Sequence, residues 1–204
     1  MERETSVELW GLFQKACSFT ESDIHEHLPV LRKLAEQCDH VTEFGLRWAN
    51  GSTLAFLAAQ PTVLVSWDLN PYHVVSQQVL NLIQHAGRTS FQPRVGDSTQ
   101  VNIEGTDLLF IDTLHTAKQL QAELRRHAFV ECNKVRRFLV FHDVETFGHC
   151  GEDGSEGGLM DAIRWFHKNN FPLWRPVHHS TRNNGLLILQ READFEASGL
   201  PELV

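Results

Sequence analysis

From His40 to Asp143 the chain repeats one pattern: short apolar runs that stop at a polar residue, alternating with stretches of helical spacing. The runs begin VTEFGL, TLAFLAAQ and TVLVSWDL, followed by a helix after Pro71 that extends to about Ala86. They continue with TSFQPRVG, DLLFID, a helix over AKQLQAELRRHAFVEC, and RRFLVFHD. Parallel strands need long crossovers, usually helical, and when both faces of a sheet are covered its strands become apolar throughout. The alternation therefore predicts βαβ units and a doubly wound parallel sheet. Upstream, residues 6–18 and 22–37 carry apolar residues at helical spacing, the second opening on Thr20-Glu21-Ser22-Asp23 as a capping signal. Downstream the alternation ends. A loop from Val144 to Gly158 carries five glycines, and the amphipathic stretch LMDAIRWFHKNN follows it. PLWRPVHHS and GLLILQRE then flank the turn signal Asn184-Gly185, which implies an antiparallel hairpin. The expected fold is a three-layer α/β sandwich around a mixed seven-stranded sheet.

Composition narrows the function classes. A chain of 204 residues, 42% apolar, suffices for one sizeable core and is read as a single compact domain: N-terminal helices over 1–39, then an α/β domain over 40–204. A formal charge of -8 argues against a phosphate-neutralising surface, so nucleic acid is not an expected partner. Four cysteines without a CxxC pair fit reduced thiols in the cytoplasm. MERETSVELW has no apolar signal region, and no run approaches the roughly 20 residues that span a bilayer. Neither a membrane nor secretion is expected, and self-association is compatible with the sequence.

In open α/β sheets ligands bind beyond the carboxyl ends of the strands. Those ends are mostly acidic here: Glu43 with Gly45, Asp68, Gly96-Asp97-Ser98, Asp112, and His142-Asp143. Any one could be a strand end meeting water. Five in series would be costly to gather without a cation or a donor-bearing ligand among them. Gly45 and Gly51 match neither the GxGxxG fingerprint nor a phosphate loop, because Gly51-Ser52-Thr53 lacks the lysine. An acid beside a tight turn suits an ammonium group. Asp68 suits two ribose hydroxyls, and Asp97-Ser98 suits an exocyclic amine. Together these preferences describe an adenosine attached to an amino acid.

These residues resemble the class I S-adenosylmethionine-dependent methyltransferases, in particular the small-molecule O-methyltransferases related to catechol O-methyltransferase, the macrocin-type sugar O-methyltransferases and the cephalosporin hydroxylase group. The resemblance spans about residues 40–191 and rests on the acid-x-Gly of Glu43 to Gly45, Asp68, the GDS of 96–98, FIDTLHT of 110–116 and VFHD of 140–143. It implies that Glu43 and the segment from Gly45 through Gly51 and Ser52 hold the methionine part of the cofactor, Asp68 the ribose, and Asp97 with Ser98 the adenine. It implies a divalent metal, Mg, Mn or another, on Asp112, His142 and Asp143, with His115 as base toward the acceptor hydroxyl. An imidazole ligand suits Mn, Fe or Zn better than Mg. The chain departs from such relatives at Ala49-Asn50-Gly51-Ser52, where they commonly carry a second glycine followed by x-Ser.

The expected activity is O-methylation of a small molecule or glycan precursor, with Asp112 and Asp143 as partners of His115. Two other readings stand beside it: a non-catalytic binding module that keeps the fold, and a metal-dependent hydroxylase-like enzyme. His149, His178 and His179 are weaker site candidates, and Trp165, Phe166 and Trp174 read as packing residues. The 148–158 segment reads either as a substrate lid or as a surface loop.

Overall fold

A computed structural model describes residues 6–192, so the end of the expected 40–204 domain lies outside the described residues. The chain divides into two compact units at Val101/Asn102.

The first unit comprises α1 (Val7–Ser18), α2 (Leu28–Ala35), β1 (His40–Phe44), α3 (Ser52–Ala59), β2 (Val63–Asp68), α4 (Pro71–Val74), α5 (Gln77–His85) and β3 (Ser90–Val95). Its strands are parallel, in the order β3-β2-β1. Every residue of α3 is buried, which explains why TLAFLAAQ is apolar all round rather than on one stripe. Two helices differ from the sequence expectation. The second begins at Leu28 rather than near residue 22, because Pro29 is tolerated in a first turn but not in a helix interior. Ser22 instead forms a local turn, its hydroxyl accepting from the Ile24 N–H at 3.4 Å. The stretch after Pro71 is broken at Val75-Ser76, where the Ser76 hydroxyl accepts from the Val79 N–H and starts α5 afresh.

The second unit comprises β4 (Thr106–Ile111), α6 (Ala117–His127), β5 (Val135–His142), α7 (Leu159–Asn169), β6 (Trp174–Ser180) and β7 (Leu186–Arg191), with strands in the order β4-β5-β7-β6. β4 and β5 are parallel, while β7 runs antiparallel to both β5 and β6. The hairpin thus forms where Asn184-Gly185 signalled it, with Asn183 and Gly185 at positive φ. α6 stops at His127, short of the expected Cys132, and the Phe129 N–H reaches back to the Leu124 carbonyl. Phe138, Phe141, Phe166 and Trp174 are among the largest fully buried side chains, as expected for Phe166 and Trp174. Trp165 is half-buried and packs on Phe129.

Three parallel strands in the first unit and four mixed strands in the second make up the seven strands read from the sequence. In each unit one end strand carries a central proline, Pro93 in β3 and Pro176 in β6, which removes ladder donors from an edge that would otherwise recruit another strand. Among the described residues no helix is long and apolar enough to cross a membrane.

Candidate functional site

β4 and β5 pair in parallel with Ile111 opposite Phe141, so the residues that follow them emerge side by side. Asp112 is the first residue beyond β4 and Asp143 the first beyond β5. Asp143 takes φ 61°, a left-handed conformation costly for a non-glycine residue and concentrated at functional sites. His115 comes back from the turn after β4 to meet both carboxylates. Its Nε2 lies 2.7 Å from Asp143 Oδ2 and 3.2 Å from Asp112 Oδ1. His142, the last residue of β5, brings Nδ1 to 3.3 Å from Asp143 Oδ2 and 3.6 Å from Asp112 Oδ1.

Two carboxylates and two imidazoles thus share one buried corner. Burial disfavours the charged form of His115, but hydrogen bonds to Asp112 and Asp143, with a smaller contribution from Glu152, outweigh it and push its pKa up to about 10. The same balance of burial against Asp112 and Asp143 pushes His142 up to about 10. Burial raises and the two imidazoles lower the pKa of each carboxyl, and for both Asp112 and Asp143 the imidazoles win. In this arrangement His115 carries a proton at neutral pH, so the base role expected from sequence requires that proton to leave first.

The donor set also suits a cation. One ligand atom each from Asp112, His115 and Asp143 lie within 4.8 Å of one another. Asp143 Oδ1 is buried and has no hydrogen-bond partner, a deficit that a cation would remove. Two carboxylates and one imidazole fit a divalent transition metal. The sequence expectation placed His142 rather than His115 in this set. Both imidazoles approach the two carboxylates, and His115 makes the shorter contacts.

The glycine-rich loop folds back on this corner, which the sequence did not reveal. The Phe147 ring stacks on the His115 imidazole with centroids 4.8 Å apart and planes within 6°. Glu152 Oε2 meets His115 Nδ1 at 2.5 Å. The sequence left this segment open between a substrate lid and a surface loop, and its glycines did not name what it touches. His149 lies within the same loop, and His178 and His179 lie on β6.

The first unit holds the other expected site residues. Glu43 is completely buried in β1, where it accepts from the Ser52 hydroxyl at 2.6 Å, from Thr53 at 2.9 Å and from Ser66 at 2.5 Å. It therefore pins the start of α3 and the middle of β2, and any effect it has on a ligand passes through the loop between β1 and α3. That loop turns on Gly45 (φ 98°), with Arg47 and Ala49 also at positive φ, and Gly51 precedes the first turn of α3. Asp68, at the end of β2, accepts from the Arg47 N–H at 2.7 Å and the Asn70 N–H at 2.8 Å, and meets His73 Nδ1 at 3.0 Å. Its Oδ1 carries one of these bonds and Oδ2 two, so the carboxylate retains acceptor capacity for a hydroxyl. Asp97 is exposed and closes a turn with the Thr99 N–H at 2.8 Å, and Ser98 is buried beside it. An exposed acid at the end of β3 and a partly engaged acid at the end of β2 are chemically compatible with an adenosine. Glu43, expected to hold the methionine part of the cofactor, has its carboxylate engaged by the three hydroxyls of Ser52, Thr53 and Ser66.

The fold is the Rossmann-like fold of solved methyltransferase structures. A Staphylococcus aureus protein assigned as a caffeoyl-CoA O-methyltransferase superposes with a TM-score of 0.64 at 15% identity, over 91% of this chain and 93% of its own. A Podospora anserina methyltransferase crystallised with SAH gives a TM-score of 0.61 at 10% identity, over 94% and 90%. An O-methyltransferase from Bacillus cereus in complex with SAH gives 0.59 at 15% identity, over 93% and 92%. No protein-family profile and no curated protein sequence matches the chain.

Proposed function

We propose that the protein is an S-adenosylmethionine-dependent O-methyltransferase that moves a methyl group to a hydroxyl of a small molecule or glycan precursor with help from a divalent metal. The observation that carries this reading is the Asp112–His115–Asp143 donor set, with its unpartnered Asp143 Oδ1, at the carboxyl ends of β4 and β5. The fold is shared over nine-tenths of the chain with methyltransferase structures, two of the three holding SAH.

In this reading Asp68 holds the ribose, Asp97 and Ser98 the adenine, and the Gly45–Ser52 loop, fixed from beneath by Glu43, the methionine portion. Bound to these residues, the cofactor would supply an activated methyl on a sulfonium, and a divalent metal would make an acceptor hydroxyl more acidic. The remaining work is positioning, because in-line transfer needs an aligned nucleophile more than a strong base. Asp112 and Asp143 would hold the metal with one carboxylate oxygen each. His115 would hold the metal through Nε2 after losing the proton shared with the two carboxylates, and an Nε2 engaged in this way would be a ligand and not the base. His142 stays behind the two carboxylates and balances their charge.

A second reading, a non-catalytic module on the same fold, draws support from the internal donors that already engage Asp68. Calorimetric titration of the chelator-treated protein separates the two. The enzyme reading expects saturable binding of S-adenosylmethionine and of Mn²⁺, and well-folded protein that gives no heat with S-adenosylmethionine would favour the module.

A further inference from the structure

The loop between Phe147 and Leu159 is a cinched finger rather than a loose connection. Its base is tied by the Leu159 N–H to the Phe147 carbonyl at 2.8 Å and by the Met160 N–H to the Gly148 carbonyl at 3.0 Å. These strands of backbone approach so closely that a Cβ on Gly158 would lie 2.2 Å from the Phe147 oxygen. Higher up, Cys150 and Glu156 form an antiparallel bridge. The tip is a turn in which the Gly154 N–H donates to the Gly151 carbonyl, the Gly151 N–H to the Ser155 carbonyl, and the Ser155 N–H to Asp153 Oδ1.

Glu152 sits on that tip and is joined to His115 twice. Its backbone N–H donates to the His115 carbonyl at 3.1 Å, and its carboxylate meets Nδ1 at 2.5 Å. The opposite ring nitrogen, Nε2, faces Asp112 and Asp143, while Phe147, at the root of the finger, stacks on the ring face. The imidazole is thus fixed in the plane by one loop residue and across the plane by another.

A histidine that serves a metal through one nitrogen commonly donates its other N–H to a carboxylate, which sets the tautomer and the ring orientation. We propose that Glu152 is the positioning residue for His115, holding Nδ1–H toward the finger so that Nε2 is presented to the Asp112–Asp143 pair. The 148–158 finger is then the outer wall of the metal site. This inference rests on the metal reading above and specifies which residue outside the donor set tunes it.

The test uses the full chain, freed of metal, with Zn²⁺ as a diamagnetic probe. Zn²⁺ affinity is measured by calorimetry for the wild type, Glu152→Gln, Glu152→Ala and Asp112→Asn. Long-range ¹H–¹⁵N spectra of histidine-labelled protein report the His115 tautomer, its signal identified by its loss in His115→Asn. Glu152 sits on a surface loop, and Glu152→Gln preserves its shape, so folding is not at stake. Expected are a loss of about 10- to 100-fold in Zn²⁺ affinity for both Glu152 variants, and a single Nδ1–H tautomer in the Zn²⁺-bound wild type that Glu152→Ala no longer holds. Wild-type affinity and an unchanged tautomer in Glu152→Ala would overturn the proposal while leaving the metal site intact. A wild type that takes up no Zn²⁺, or an Asp112→Asn variant that binds as tightly as the wild type, would remove the metal reading and this inference with it.

Discussion

Each unit buries carboxylates at its strand ends and treats them differently. In the first, Glu43 is surrounded by the hydroxyls of Ser52, Thr53 and Ser66. In the second, Asp112 and Asp143 face two imidazoles, and one Asp143 oxygen has no hydrogen-bond partner at all. Hydroxyls satisfy an acceptor with neutral donors from the unit's own elements, so the Glu43 group is a closed structural knot. Imidazoles exchange protons and can turn a lone pair toward a cation, so the Asp112–Asp143 group is open to an added charge. Burial alone does not distinguish a scaffold acid from a working one. The identity of the donors and the presence of an unmet acceptor do.

The largest expected effect lies on the open side. Asp143→Asn keeps the shape of the side chain but removes the charge that both imidazoles and a cation share. Mn²⁺ affinity should fall by more than about 100-fold, beyond the range of an outer-shell partner. Mn²⁺ titration followed by electron paramagnetic resonance reads this directly. An Asp143→Asn protein that binds Mn²⁺ like the wild type would place the cation elsewhere and dissolve the contrast between the two acids.

The closed side should respond in stability instead. Glu43→Ala leaves three hydroxyls without their acceptor and a cavity beneath β1, which costs about 3 kcal/mol or more. Urea denaturation should show a lower midpoint, while Mn²⁺ affinity of the folded protein stays as in the wild type. A Glu43→Ala midpoint indistinguishable from the wild type would mean that the hydroxyls find water or other partners, and that the knot is not a knot.

Much of this contrast was hidden in the sequence, for identifiable reasons. The strand ends were legible because apolar runs stop visibly, as at Ile111-Asp112 and Phe141-His142-Asp143. The hairpin was legible because Asn184-Gly185 is a turn signal with a steric cause. The runs do not say which strands are neighbours, and it is the parallel pairing of β4 with β5 that sets Asp112 beside Asp143. The partners of each acid were not legible. Ser66 is 23 residues from Glu43 and Glu152 is 37 from His115, distances at which only the packed fold decides who meets whom. His142 was expected as a ligand because the family resemblance puts a metal-binding pair at the end of the fifth strand. Both imidazoles approach the two carboxylates, and His115 makes the shorter contacts. Helix boundaries slipped where a single residue overruled the periodicity, Pro29 in α2 and Ser76 ahead of α5.

The smallest effect tests the comparison at two equivalent caps. Ser76 starts α5 in the first unit by accepting from the Val79 N–H at 3.3 Å, and Thr116 starts α6 in the second by accepting from the Gln119 N–H at 3.2 Å. Removing either hydroxyl, in Ser76→Ala or Thr116→Ala, should cost about 1 kcal/mol of stability, the ordinary value of an N-cap. The two should differ in their effect on metal. Thr116 directly follows His115 and anchors the backbone that aims the imidazole, so Thr116→Ala should weaken Mn²⁺ binding by a few-fold, on the order of 1 kcal/mol or less. Ser76→Ala should leave it unchanged. Equal Mn²⁺ affinities in the two variants would mean that the cap has no part in aiming His115, and that Phe147 and Glu152 hold the ring without help from the helix behind it.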